Sequence, residues 1–191
     1  MEYVYMTMKS PVGELKLVAR GEKLAAILWE NDKPNRIRLG AMHEDTGSPV
    51  LVETARQLGE YFAGARTQFD VEMDFAGTEF QQQVWAALLT IPFGDTRSYS
   101  DIAHQIGRPA AVRAVGAANG KNPISIIAPC HRVICMSGDL TGFAGGLHAK
   151  ETLLMLEGAP ALKREKRNFA KKPEKVDHST QGLLFEVESI A

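Results

Sequence analysis

The residues best suited to covalent chemistry lie in one short run, Pro129-Cys130-His131-Arg132, inside an otherwise apolar stretch from Ile124 to Ile134. A thiol is a nucleophile only to the extent that it is thiolate, and a neighbouring base or cation lowers its pKa. Adjacent residues on a helix do not face each other, so Cys130 and His131 can cooperate only if the backbone turns here or a water bridges them. Taken alone, the run is equally compatible with a buried structural cysteine. Glu157 stands out for another reason. An acid at the C-terminal end of a helix opposes the macrodipole at a cost of about 0.3–1 kcal/mol, which calls for a compensating group. Its functional reading is orientation of His131, as a third group orients the base in other nucleophilic sites. An exposed surface acid is the simpler reading.

A third candidate is Arg113, a lone long cation in Pro109-Ala110-Ala111-Val112-Arg113-Ala114-Val115-Gly116-Ala117-Ala118. Small side chains let this segment approach another surface closely, either a second helix or the backbone of DNA. By itself such an arginine is more often solvated or salt-bridged. Bulk charge does not decide between these readings. The whole chain carries 22 Lys plus Arg against 23 Asp plus Glu, and residues 78–162 carry six of each. Any DNA contact there depends on local donors, helix N-termini and close approach, not on a broad positive field.

The elements that must position these residues follow from periodicity. Alternation from Tyr3 to Trp29, broken at Pro11-Val12-Gly13 and Gly21-Glu22-Lys23, predicts three short antiparallel strands. After a polar stretch from Asn31 to Pro49, helical spacing of Leu51, Ala55, Leu58 and Phe62 predicts a helix ending at Gly64. This first unit, residues 1–77, reads as a small α+β domain. Residues 78–162 read as mainly helical. Phe80, Val84, Leu88 and Leu89 define one amphipathic face, stopped by Pro92 and Gly94. A short helix from Ser100 to Gly107 and another opened by Pro109 form a helix-turn-helix. A last helix runs from about His148 to Glu157, with Gly158 as its stop. Residues 163–191 read as a basic linker and tail, since Lys163 to Lys175 holds seven bases and two acids.

The pattern Phe80-Gln81, Val84-Trp85, Ile91-Pro92, Gly94, Ser98-Tyr99, Ile102-Ala103, Arg113-Ala114-Val115-Gly116, Asn122-Pro123, Pro129-Cys130-His131-Arg132-Val133, Gly145-Gly146, Lys150 and Glu157-Gly158 resembles the O6-alkylguanine-DNA alkyltransferases. These are also called methylated-DNA-protein-cysteine methyltransferases, and the layout is most similar to the bacterial stand-alone type. The first unit carries the likeness more weakly, in Pro11-Val12-Gly13 and Tyr61-Phe62-Ala63-Gly64.

The resemblance implies an α+β fold with a ribonuclease H-like antiparallel sheet domain followed by the helical domain. It implies irreversible, single-turnover transfer of the alkyl group from O6-alkylguanine in double-stranded DNA to Cys130 after nucleotide flipping, and leaves acceptance of O4-alkylthymine open. His131 and Glu157 match the pair that draws the thiol proton through a water. Asn122 matches the hinge behind the active-site loop. Tyr99 matches the residue that helps rotate the nucleotide and donates to guanine, and Arg113 the finger that fills the vacated stack. Val133, by its amide, matches a guanine-reading position. Ala111, Ser98, Gly116 and Phe143 join the DNA- and base-binding set by the same likeness. The flipping is physically required, because a sulfur cannot reach the O6-alkyl carbon in line inside a duplex. A helix-turn-helix in the minor groove would read little base sequence. This chain departs from some relatives in having Phe143-Ala144 where they place Tyr-Ser, which removes two hydroxyls. It also lacks the first-domain Cys and His zinc ligands of other relatives, so no metal and no cofactor are expected.

Only two cysteines are present, too few for a disulfide scaffold. The start, Met1-Glu2-Tyr3-Val4, lacks the layout of a signal peptide, and no run is long and apolar enough to span a bilayer. The cytoplasm is the expected compartment and a monomer the expected state. In the tail, Gln181-Gly182-Leu183-Leu184-Phe185 resembles the short peptide with which bacterial DNA enzymes bind the sliding clamp, through Gln181, Leu184 and Phe185. Packing of that segment on the chain's own first domain competes with it. Two other functions stay in view: a Cys-His hydrolase, which would turn over, and a lesion-sensing DNA-binding protein, which would lack an acceptor cysteine.

Overall fold

The computed structural model describes residues 2–159 of the chain, so the tail and its clamp-like segment lie outside the described residues. Strands β1 (Tyr3–Ser10), β2 (Gly13–Arg20) and β3 (Lys23–Trp29) form the expected antiparallel meander. A three-residue strand, β4 (Met42–Glu44), adds to β1 in parallel, giving the order β3-β2-β1-β4. It lies in the polar stretch that carries no apolar alternation, so periodicity gave no sign of it. Helix α1 (Pro49–Phe62) covers the sheet with Leu51, Leu58 and Tyr61 fully buried.

The free edge of β3 is covered by two returning segments. Leu24 exchanges backbone hydrogen bonds with Glu72 and Asp74, and Ile27 donates to the carbonyl of Pro123 at 2.8 Å. An edge strand left open would invite pairing with another chain; here its donors are used internally. The second segment also brings Ile124, Ile126 and Ile127 into the core built on Leu15, Leu17, Leu24 and Ile27, with Ala149 and Leu153 joining from the last helix. One apolar core therefore takes side chains from both units.

Helix α2 (Glu79–Leu88) opens with a capping box in which Thr78 and Gln81 satisfy each other's backbone amides. Its buried face is Val84, Trp85, Ala87 and Leu88. Leu89 lies beyond the helix and is 42% exposed, correcting the expected face; the larger Trp85 takes the inward position and donates from Nε1 to the carbonyl of Ala118 at 2.9 Å. Strand β5 (Arg97–Ser98) leads into α3 (Tyr99–Gln105), which Ser98 and Asp101 cap reciprocally. Gly107, at φ +70°, makes the tight turn. Pro109–Ala111 form a 3-10 turn, so the α-helix proper, α4 (Val112–Gly120), starts three residues later than the proline suggests. Ile102, Ala103, Val115 and Ala118 of this helix pair meet α2 in a second core that also holds Cys130 and Val133. Strand β6 (Val133–Ile134) pairs with β5 in parallel, and α5 (Gly146–Leu156) closes the fold.

Candidate active site

Cys130 sits at the start of a 3-10 turn, Cys130–Arg132, so the backbone does turn between the thiol and the histidine, as cooperation between them requires. The turn is presented by a loop that Asn122 closes from inside. Its Nδ2 donates to the carbonyl of Ala128 at 2.7 Å, and its Oδ1 accepts from the amide of Ile124 at 3.1 Å. Within this loop Ile126 adopts φ +75° with its side chain fully buried. A β-branched residue in the left-handed region stores roughly 1–3 kcal/mol and persists only where its surroundings fix it. A further clamp comes from the first unit: Arg36, paired with Asp32, donates from Nη1 to the carbonyl of Asn122 at 2.7 Å.

Behind the thiol lies an enclosed ionic network. Glu157, the C-cap of α5, is buried. Its Oε1 accepts from His131 Nε2 at 2.8 Å, Tyr61 Oη at 2.7 Å and Arg132 Nη2 at 2.9 Å. Its Oε2 accepts from Arg132 Nε at 2.8 Å and the amide of Gly94 at 3.2 Å. This overturns the surface-acid reading: the compensation that an acid at a helix C-terminus demands is supplied by five donors. Burial pushes the carboxyl up, but hydrogen bonds from His131, Arg132 and Tyr61 outweigh it and hold Glu157 well below the usual carboxylate range. Arg132 is braced further by the carbonyl of Ile91 at 2.6 Å.

The acceptor on Nε2 fixes the tautomer of His131. With Nε2–H directed at the carboxylate, the neutral ring carries its lone pair on Nδ1, which is buried and has no partner among the described residues. Burial lowers the pKa of His131 below its ordinary value in spite of Glu157, so the ring is neutral at pH 7. Burial likewise raises the Cys130 thiol above its ordinary range, against hydrogen bonding with Asn122 and Ser125 that lowers it. No direct hydrogen bond joins Cys130 and His131; Ser125 Oγ is 3.9 Å from the sulfur. The resting site thus pairs a neutral thiol with a neutral base whose conjugate acid would be stabilised by a fixed carboxylate.

Of the other expected residues, Tyr99, Phe143 and Val133 belong to or pack against the core that holds Cys130, and among the described residues no contact with the thiol is found for Ser98, Ala111, Gly116 or Arg113. Tyr99, beside the core that holds Cys130, places its hydroxyl 3.3 Å from Thr141 Oγ1. Burial keeps its phenol above the ordinary range and therefore protonated. Gly116 faces the Tyr99 ring, where an added Cβ would stand 3.9 Å away. Phe143 packs against both cores. Ser98 spends its hydroxyl on the cap of α3, and Ala111 is the half-buried N-cap of α4. Arg113 is exposed and makes neither hydrogen bond nor ion pair among the described residues. The amide of Val133 donates to the carbonyl of Cys130 and closes the turn, so it is engaged here. Its carbonyl accepts from Lys150 Nζ at 2.7 Å, and the same ammonium reaches the carbonyl of Thr141 at 3.1 Å. Burial pulls Lys150 down to about 8. A cavity of about 730 Å3 reaches Pro129 and Arg132, with Phe69, Ile91 and Phe93 in its wall, but Cys130 does not line it.

Most of the chain aligns with known proteins. A methylated-DNA-protein-cysteine methyltransferase of Mycobacterium tuberculosis is 51% identical over 159 residues, covering 82% of this chain and 93% of the relative. The chain belongs to the 6-O-methylguanine DNA methyltransferase family. The ribonuclease-like domain of that family matches residues 3–75 and its DNA binding domain residues 79–159. A methylated-DNA-protein-cysteine methyltransferase of Methanosarcina acetivorans is 46% identical over 81% of this chain and 98% of its own length. Among solved structures, the O6-methylguanine methyltransferase of Mycobacterium tuberculosis superposes with TM-score 0.73 at 51% identity, over 82% of this chain and 93% of that one. The OGT of the same organism in complex with DNA superposes with TM-score 0.75 at 48% identity, over 85% and 98% of the two chains.

Sequence reasoning left out Tyr61, Arg132, Lys150 and Arg36 as site residues. Arg132 had a signal, since the misplaced acid of Glu157 asked for a cation. Tyr61 had only its place in the Tyr61-Phe62-Ala63-Gly64 motif and Arg36 had none, because each reaches the site from the first unit.

Proposed function

We propose that this methyltransferase-family protein repairs O6-alkylguanine in double-stranded DNA by moving the alkyl group irreversibly onto Cys130. The observation that carries the reading is the free Nδ1 lone pair of a neutral His131 held by the Glu157 carboxylate. Through a water, Nδ1 takes the thiol proton, and the growing imidazolium is balanced by Glu157. The sulfur forms a bond to the alkyl carbon as the carbon–O6 bond breaks. The electron pair goes to the guanine, which ends with the proton that left the thiol, passed on from the imidazolium through water, and the Tyr99 hydroxyl stabilises the developing charge as a donor. The thioether product has no comparable leaving group, so one chain repairs one lesion.

The helix-turn-helix supplies the approach. Arg113, Ala114 and Ala117 form an exposed, small-residue face on α4, which supports close entry to a duplex with Arg113 filling the place of the extruded base. Asn122 sets the active-site loop, Phe143 walls the base pocket with Gly116 and Ala111 along the DNA face, and Ser98 anchors α3 beneath Tyr99. Val133 reads the base through an amide shared with the Cys130 carbonyl. Both cysteines are unpaired, which supports a reducing cytoplasm; among the described residues no helix is long and apolar enough to cross a membrane. A monomeric state, activity on O4-alkylthymine and a clamp contact through Gln181, Leu184 and Phe185 belong to the same reading. Pull-down with clamp against a Leu184→Ala/Phe185→Ala control tests the contact.

The deciding experiment is intact mass after incubation with a duplex carrying one O6-methylguanine, beside Cys130→Ser. One methyl per chain, absent from the variant, is expected. Tight lesion binding without mass change would point to a sensor, and repeated turnover to a hydrolase.

A further inference from the structure

The loop that carries Phe143 is braced from outside its own unit. Trp29, the last residue of β3, is only 6% exposed, and its ring meets Phe143 edge-on with centroids 5.2 Å apart at 68°. A Cβ added to Gly145 would stand 2.5 Å from the indole Cε3, so the ring occupies the volume that a side chain at 145 would need. The base of the indole is fixed by the sheet, where Trp29 pairs with Leu15 of β2. Its Nε1 is buried without a hydrogen-bond partner among the described residues. An unpaired buried donor is unfavourable, so packing against the loop, not a polar anchor, holds the ring in place. A cavity of about 300 Å3, lined in part by Val12, Trp29, Lys33, Phe143 and Ala144, flanks the contact. Phe143 in turn also packs against the cluster that contains Cys130, beside Tyr99.

We infer that Trp29 sets the upper size of the alkyl group that Cys130 accepts, by holding Phe143 and the loop through Gly145 from behind. The inference rests on the alkyl-transfer reading. The sulfur must approach the alkyl carbon in line with O6. A methyl group asks for no space beyond that carbon, whereas a benzyl group carries a ring that must lie against the apolar wall. Where the indole lies behind Gly145 the volume is filled, and on that side the wall resists retreat. Shortening the indole gives Phe143 the freed volume and lets the wall move. The bonds made and broken are the same for both substrates, so the ratio of their rates isolates fit from chemistry.

The test is single-turnover transfer from O6-methylguanine and O6-benzylguanine, each in the same duplex, by wild type, Trp29→Leu and Trp29→Phe. Circular dichroism and thermal unfolding follow the folded fraction. The benzyl-to-methyl ratio is expected to rise about tenfold in Trp29→Leu, within the range by which small changes of apolar pocket shape alter selectivity. Trp29→Phe, which keeps a ring in the core and carries the test should the leucine variant not fold, is expected between the two. A merely structural role lowers both rates together and leaves the ratio at the wild-type value, which would overturn the inference while transfer by wild type stands. Transfer of neither group by wild type would overturn the proposed function and this inference with it.

Discussion

His131 Nε2 lies 2.8 Å from Glu157 Oε1, and neither side chain has any exposure to solvent. The same carboxylate holds Arg132, whose side chain is 7% exposed, so its charge balances a guanidinium as well as orienting a base. Glu157→Gln keeps the shape and removes the charge. It leaves Arg132 buried without a counter-ion, which costs roughly 3–5 kcal/mol and should lower the melting temperature by on the order of 10 °C. The alkyl-transfer rate should fall about 100-fold, since the imidazolium loses its stabilising partner. Calorimetry and rapid-quench transfer check both; an unchanged melting temperature would mean that the network is not what stabilises this end of α5.

The pH dependence follows from the same pair. Burial depresses the folded pKa of His131, so between that value and the unfolded value of about 6.5 the unfolded chain binds more protons and stability rises with pH. Stability should therefore fall as pH drops below about 6.5. A second loss should follow below about 4.3, where the unfolded Glu157 protonates while the folded carboxylate, held low, does not. Urea unfolding at pH 7.5, 6 and 5 measures the first step. His131→Gln should flatten it, and parallel slopes for the two proteins would sink the assignment of a buried neutral ring.

The thiols should differ sharply in reactivity. Cys130 is 3% exposed and its thiol is raised by burial, whereas Cys135 is half-buried, 3.5 Å from Thr141 Oγ1. Iodoacetamide should label Cys135 at least about tenfold faster, since both access and thiolate fraction control the reaction. Peptide mass mapping over time reads the order. Equal labelling would show that the loop closed by Asn122 opens readily without DNA.

The parts of this site that were legible in the sequence are those whose signal is local. The meander of β1 to β3 was written in alternation and the Cys130 turn was marked by Pro129-Cys130-His131-Arg132, whereas the N-caps Thr78 and Ser98 of α2 and α3 went unread. Nor was the burial of Glu157 legible, because its donors come from Tyr61, Gly94, His131 and Arg132, scattered over the chain. Local reasoning could register only that its position was unfavourable. The same holds for Arg36 on the carbonyl of Asn122 and for Trp29 behind Phe143. Contacts between the sheet and the reactive loop have no periodicity, so only the folded chain displays them.

Arg113 offers a test that separates flipping from chemistry. It is exposed on α4, and Val115 two residues on is buried in the second core. Arg113→Ala should therefore leave the fold intact. If the side chain offsets the unstacking of the target base, its loss matters only where there is a stack to leave. That energy is on the order of a few kcal/mol in a paired duplex and least in a single strand. The variant should transfer methyl from duplex about 10- to 100-fold more slowly than wild type, and from a single strand of the same sequence at close to the wild-type rate. A G:T-like mispaired lesion, already partly unstacked, should fall between. Equal losses on all three substrates would mean that Arg113 contributes phosphate attraction alone, and that something other than this arginine holds the duplex open.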